Sequence, residues 1–168
     1  ANTYGLNYLI SNCSNNFGPM QYPEKLIPLS IFKLINGFKI PVYGNGKQVR
    51  DWIYVDDHNE ALNYIIKYGK LNEKYNIGSN NKMTNLSLLR HIIKLLDKKK
   101  LINKKSNHFE FVTDRPGHDY RYSLNTKKIN DLGWISKSKF QEKLSFTIDW
   151  YLNNKKWLIK NIKNFHYG

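Results

Sequence analysis

The sequence predicts an α/β chain of mixed order, and three observations carry that prediction. Short apolar runs bounded by turn residues recur along the chain, the first at Leu6 to Asn12. Between them lie stretches whose apolar residues fall three and four apart. The order is strand, helix, a small β excursion and then αβ units, without the strand and glycine-rich phosphate loop that open a complete doubly wound sheet.

Ala1 to Leu6 reads as a helix end running into a strand, with Ala rather than Met first, which predicts a piece of a longer protein. Leu6 to Asn12, between Gly5 and a polar loop, suits a buried late strand of a parallel sheet. Pro23 and Glu24 then open a helix with Leu26, Ile27, Ile31, Leu34 and Ile35 at helical spacing. Pro28 falls in its first turn, where a missing N–H does no harm, and Gly37 stops it. Ile40 to Tyr43 and Val49 to Val55 read as a hairpin-like pair around Gly44-Asn45-Gly46, residues that accept positive φ. Asp56 or Asp57 caps the next helix, with Ala61, Leu62, Ile65 and Ile66 as its face and Gly69 as its exit.

Tyr75 to Gly78 is a brief strand, and Thr84 caps an amphipathic helix carrying Leu86, Leu89, Ile92, Ile93, Leu95 and Leu96. After a basic loop, Lys98 to Lys105, strands at Phe109 to Val112 and Tyr120 to Leu124 flank Asp114 to Asp119. Phe140 to Lys155 closes the chain as a helix. No repeat or interdomain linker divides residues 1–168.

The net charge of +14, from 27 basic and 13 acidic residues, raises the question of a polyanionic partner. Only Arg50, Arg90, Arg115 and Arg121 are arginines, and the lysines are scattered among Asn and Ile. That is a solvated Lys-rich surface rather than a nucleic-acid stripe. Cys13 is the sole cysteine, so an intrachain disulfide is impossible and a reducing, cytoplasmic home is expected. No run approaches the ~18 apolar residues of a membrane span, and no signal peptide opens the chain. No His, Cys, Asp or Glu cluster has metal-ligand spacing.

Three stretches hold residues that core packing does not require. Asn12 to Pro19 places short amides at the carboxyl end of a strand, where open α/β sheets bind ligands. Asn15 and Asn16 can read a sugar hydroxyl and a nicotinamide amide there, or form an Asx turn into Gly18-Pro19. Gly44 to Asp57 holds Arg50, whose planar donor fork suits a pyrophosphate, or which pairs at the surface with Asp51 or Asp56. Thr113 to Tyr122 gathers Arg115, His118 and Arg121 about a rigid Pro116-Gly117 turn, enough positive charge to grip a diphosphate. Tyr151 and Lys155 match the YxxxK spacing of short-chain dehydrogenases. They follow every binding-loop candidate instead of preceding the Asn loop, and are expected not to be catalytic.

Read together and in order, Asn12 to Pro19, Tyr22 to Pro28, Pro41 to Gly44, Arg50 to Val55, Tyr75 to Gly78 and Asp114 to His118 resemble the dTDP-glucose 4,6-dehydratases of the extended short-chain dehydrogenase superfamily. The Arg50 to Val55 motif fixes only the superfamily, whereas Cys13 to Asn16 and Asp114 to His118 are narrower. The resemblance implies the C-terminal part of such an enzyme: the last Rossmann strands plus the small α/β substrate-binding domain, with the N-terminal NAD-binding portion absent. It implies that Asn15, Lys25, Leu26, Pro41, Val42, Tyr43, Arg50, Asn85, Asp114, Arg115, Pro116, Gly117 and His118 line a dTDP-sugar site, with Asn16 touching NAD. The catalytic Tyr and Lys, an Asp-Glu acid/base pair and the glycine-rich NAD loop are expected upstream of residue 1, which leaves no catalytic residue here. The complete enzyme is expected to be a homodimer serving dTDP-rhamnose and O-antigen type synthesis. A UDP-sugar epimerase or decarboxylase of the same superfamily and a catalytically dead remnant stand as alternatives.

Overall fold

The computed structural model describes residues 3–103 and 105–166. Ala1, Asn2 and Lys104, parts of the expected helix end and basic loop, lie outside them. The first two strands are β1 (Leu9–Cys13) and β2 (Asn15–Phe17), followed by α1 (Leu26–Ile35), β3 (Ile40–Tyr43), β4 (Val49–Tyr54) and α2 (Val55–Tyr68). Then come β5 (Glu73–Ile77), β6 (Lys82–Thr84), α3 (Asn85–Lys98), β7 (Phe109–Val112) and β8 (Arg121–Tyr122). Three helices finish the described chain: α4 (Lys127–Leu132), α5 (Phe140–Asn153) and α6 (Lys155–His166).

The α/β class and its mixed order hold. β1 runs parallel to β5, from Leu9 opposite Glu73 to Cys13 opposite Ile77. β4 is the hub of a second sheet, with β2 parallel to it, β6 antiparallel and β8 parallel. β3 pairs with β7 in a third. Two of the sequence signals at helix ends act as read, the Thr84 cap and the Gly37 stop, whereas Pro23 and Glu24 lie ahead of α1, which begins at Leu26 without an acidic residue in its first turn. Thr84 accepts a hydrogen bond from Ser87 N at 3.1 Å, and α1 stops at Gly37, whose φ of 75° lets Phe38 N reach Lys33 O and Gly37 N reach Leu34 O.

Several expectations are corrected. β3 and β4 form no hairpin, although Gly44 and Gly46 have the expected positive φ of 56° and 67°. The ladder of β3 goes to β7, and the turn carries the chain across to another sheet. Asp56 and Asp57 do not cap α2, because β4 runs straight into the helix with Tyr54 at the N-cap. The Asp57 carboxylate instead accepts from Ser136 Oγ, from Ser138 N at 3.1 Å and from Ser138 Oγ at 2.6 Å. Ile66 is exposed, since α2 packs mainly through Ala61 and Ile65, with Leu62 and Tyr64 at the edge of the same cluster. Gly69 is extended rather than left-handed, and it is needed for space: a Cβ there falls 2.3 Å from Ile65 O.

β1 is half exposed, not buried. Leu9 and Cys13 pack toward α2 while Ile10 faces outward. The expected strand at Tyr120 to Leu124 shrinks to β8, and the closing helix breaks at Asn154, whose side chain turns back to Trp150 O at 2.8 Å. β2, β6, α4 and α6 are further elements that periodicity did not reveal.

Two apolar clusters are divided by β4. Trp52 and Tyr54 enter the larger one with Phe17, Ile27, Ile31, Leu89, Ile92 and Leu144, between α1, α3 and α5. Ile53 enters the other, with Ala61, Ile65, Ile77 and Ile129. Side chains alternate along a strand, so Arg50 shares the face of Trp52 while Asp51 shares that of Ile53. Asp51 is 1% exposed, and its carboxylate is satisfied by Ser79, from N at 3.1 Å and from Oγ at 3.1 Å. Gly78 packs so tightly here that a Cβ falls 2.5 Å from Asp51 Oδ2. The variant Gly78→Ala is expected to lose about 2 kcal/mol of stability by overpacking, read as a lower urea midpoint with an unchanged slope.

Candidate functional site

A cavity of about 540 Å³ opens where the second and third sheets meet the start of α1. β2 brings Asn15 to its wall and β4 brings Arg50 and Trp52. Lys25 and Leu26 enter at the first turn of α1, Pro41 and Tyr43 from β3, and Asn85 as the first residue of α3. Arg115 and His118 come from the loop joining β7 to β8. Nine residues singled out in the sequence are thus brought together from segments up to a hundred positions apart.

Four are not. Val42 is 3% exposed within the larger core, because alternation along β3 turns it inward as Pro41 and Tyr43 turn out. Asp114, Pro116 and Gly117 are exposed and lie outside the cavity wall. Sequence reading missed Glu24, Leu29, Ser30, Ile40 and Trp52. The signals for two of these were available: Leu29 and Ser30 stand three and four after Leu26 on one helix face, and Trp52 is two after Arg50 on one strand face.

The surface ion pair considered for Arg50 is not formed. Its guanidinium is buried, donating from Nη1 to Val49 O and from Nη2 to Asp119 O, both at 2.8 Å. Two backbone carbonyls therefore fix its plane and leave its charge unneutralised for a ligand. Lys25 is paired with Glu24 at 2.5 Å at the more exposed end of the cavity.

Asn15 and Asn16 belong to a strand, not an Asx turn, and point to opposite faces. Asn15 faces the cavity. Asn16 donates to Ser14 O at 3.1 Å and lies 3.2 Å from Cys13 Sγ, leaving its buried Oδ1 without a partner. Tyr151 is fully buried, its hydroxyl donating to Gln21 O at 2.8 Å, and burial pushes the phenol's pKa up, away from any acid–base use near neutrality. Lys155 is exposed beyond the break at Asn154, so the two do not share one continuous helix face.

The loop of Arg115 and His118 is organised by Asp114. Its carboxylate accepts from Gln48 Nε2 at 2.8 Å and Arg115 N at 2.9 Å, and lies 2.6 Å from His118 Nδ1. These contacts, His118 first, hold its pKa below the ordinary carboxylate value of 3.8. A depressed carboxylate pKa contributes stability that is present above the unfolded value and lost as pH falls through the folded one. Acid titration is therefore expected to loosen this loop below the ordinary carboxylate range, and Asp114→Asn to flatten that acid limb in a stability-versus-pH series.

Among the described residues no helix is long and apolar enough to cross a membrane, and no group of three His, Cys, Asp or Glu side chains could hold a metal ion. The chain resembles proteins of known type over more than nine-tenths of its length. It is 47% identical over 163 residues to a dTDP-glucose 4,6-dehydratase of Escherichia coli, covering 92% of this chain and 44% of that protein. A solved dTDP-glucose 4,6-dehydratase from Bacillus anthracis, in complex with NAD, superposes with a TM-score of 0.85 at 42% identity, over 95% of this chain and 49% of its own. That from Streptomyces venezuelae, also with NAD bound, gives 0.85 at 38% identity, over 93% and 47%. The chain spans under half the length of the relatives it matches. The model of the GDP-mannose 4,6 dehydratase family matches residues 1–147, and the chain belongs to that family.

Proposed function

We propose that this chain forms the sugar-nucleotide-binding part of a dTDP-glucose 4,6-dehydratase, which converts dTDP-glucose to dTDP-4-keto-6-deoxyglucose and water. One observation carries the reading: a single cavity gathers Asn15, Lys25, Arg50, Asn85, Arg115 and His118, a donor-rich lining suited to a diphosphate with a polar group at either end. The names of the relatives supply the substrate.

Arg50 and Arg115 hold the diphosphate from two sides, Arg50 already oriented by its carbonyl contacts. Pro41 and Tyr43, a rigid and an aromatic residue on the outward face of β3, support the nucleoside end. Asn15 and Asn85 orient hydroxyl groups, since an amide both donates and accepts. Val42, Asp114, Pro116 and Gly117 act by shaping this wall. NAD, when bound, supplies an internal redox that oxidises the sugar at C4 and returns the hydride at C6. Asn16 fits a place beside it, since its buried Oδ1 lacks a partner and can accept from an amide. The acid–base residues of the elimination and most of the NAD contacts belong, on this reading, to sequence preceding residue 1, and the complete enzyme is a cytoplasmic homodimer.

The test is turnover of dTDP-glucose against UDP-glucose by the full-length product that contains this chain. Turnover confined to UDP-glucose overturns the reading. Within the dTDP-glucose assay, Arg115→Ala is expected to raise KM at least about tenfold, the size of one charge-assisted hydrogen bond lost.

A further inference from the structure

His118 lines the cavity, yet one of its ring nitrogens is already committed. Nδ1 lies 2.6 Å from Asp114 Oδ1, and a carboxyl whose pKa is lowered is ionised near neutrality and only accepts, so Nδ1 carries the proton. Nε2 is the nitrogen left without a partner among the described residues. Asp114 is itself held from behind. Gln48, 4% exposed, donates to its Oδ2 at 2.8 Å, and Gly44 leaves room for that carboxylate, since a Cβ there falls 2.9 Å from Oδ2. Arg115 N, at 2.9 Å, ties the other oxygen to the residue that shares the cavity wall with His118.

Resting on the cavity as a diphosphate site, we propose that Gln48 and Asp114 are positioning residues that aim His118 Nε2 at the ligand, and that ligand binding draws a proton onto Nε2. With Nδ1 protonated and facing Asp114, a neutral ring offers the cavity a lone pair at Nε2, which repels a phosphate oxygen. Uptake of one proton from solvent turns Nε2 into an N–H donor and the ring into a cation. Asp114 keeps the other proton on Nδ1, so the added one goes to Nε2, and the incoming diphosphate stabilises the cation. The other charged groups on the cavity define the balance. Arg50 on β4, Arg115 in the loop and Lys25 ahead of α1 oppose a further positive charge, while Glu24, paired with Lys25, favours it. A diphosphate between the arginines neutralises the opposing set, so protonation and binding proceed together.

The two possible roles of Asp114 predict opposite signs. A bystander carboxylate near the cavity repels the ligand, and its removal tightens binding. A positioning carboxylate loosens binding when removed. Calorimetry of the full-length product that contains this chain, with the P2-methyl ester of dTDP at pH 7.5, in Tris and in HEPES, reads both quantities, because the difference in observed heat between buffers gives the protons taken up. The methyl ester is the probe because its esterified diphosphate has no proton of its own to exchange near neutrality and carries no sugar to react.

The wild-type chain is expected to take up a fraction of a proton approaching one. Asp114→Asn is expected to bind about tenfold more weakly with the uptake abolished, Gln48→Met to show a smaller loss of the same kind, and Asp114→Glu to recover part of it. His118→Gln, which leaves Asp114 in place, is expected to abolish the uptake as well. Tighter or unchanged binding by Asp114→Asn, or uptake that persists in His118→Gln, overturns the proposal. Wild-type binding without proton uptake overturns it while the cavity reading stands, and no wild-type binding overturns both.

Discussion

The structure depends on one strand with two incompatible faces. β4 puts Trp52 and Tyr54 into one apolar cluster and Ile53 into another, so neither register nor orientation can change without exchanging both cores at once. That constraint delivers Arg50 to the cavity and Asp51 to Ser79. The two residues are adjacent in sequence and opposite in charge, yet they do not meet, because the pleat sends them apart. An Arg beside an Asp invites the reading of an ion pair, and the strand forbids it. Arg50 keeps its charge for the cavity, and Asp51 is left to the backbone N–H and hydroxyl of Ser79.

The turn between β3 and β4 extends the same control outward. Gly46 O accepts from Leu86 N and Gln48 O from Asn85 N, both at 3.0 Å, which fixes the start of α3. Gln48 Nε2 reaches Asp114 and Gly44 N reaches Val112 O, which fixes the far loop. Residues from α3 and from the β7–β8 loop thus take their positions from five residues that contribute no side chain to the cavity. The glycines serve this by closeness as much as by positive φ, since a Cβ at Gly46 meets Val42 at 2.8 Å.

What was legible in the sequence follows from the range of the forces involved. Helices α1 and α3 were readable because their local signals, an apolar face with the Gly37 stop in α1 and the Thr84 cap with an apolar face in α3, lie within a few turns. Arg50, Arg115 and His118 were readable because rare residue types beside glycine turns stand out in a lysine-rich chain, and Asn15 because it follows an apolar run at the carboxyl end of a strand. Strand partnership was not readable. A glycine turn between two apolar runs specifies a hairpin only when both strands lack better partners, and here β7 is the better partner of β3. The acid pair at Asp56 and Asp57 looks like a cap locally, and only the distant Ser136 and Ser138 give Asp57 its role. The inward turn of Val42 and the support of His118 by Gln48 likewise depend on contacts some seventy positions away or on a face that alternation alone leaves undecided.

The loop carrying Arg115 and His118 is moored at each end to a different sheet, to β3 through β7 and to β4 through β8. Asp119 O adds a third mooring on Arg50, and Tyr120 O accepts from Val49 N at 2.8 Å. Surface loops ordinarily accommodate insertions and deletions cheaply. This one has no slack to absorb them: an added residue displaces either the Arg50 anchor or the short pairing of β8. An insertion here therefore displaces the cavity wall even when every residue of the loop is kept, so spacing is as much a part of the site as side-chain identity.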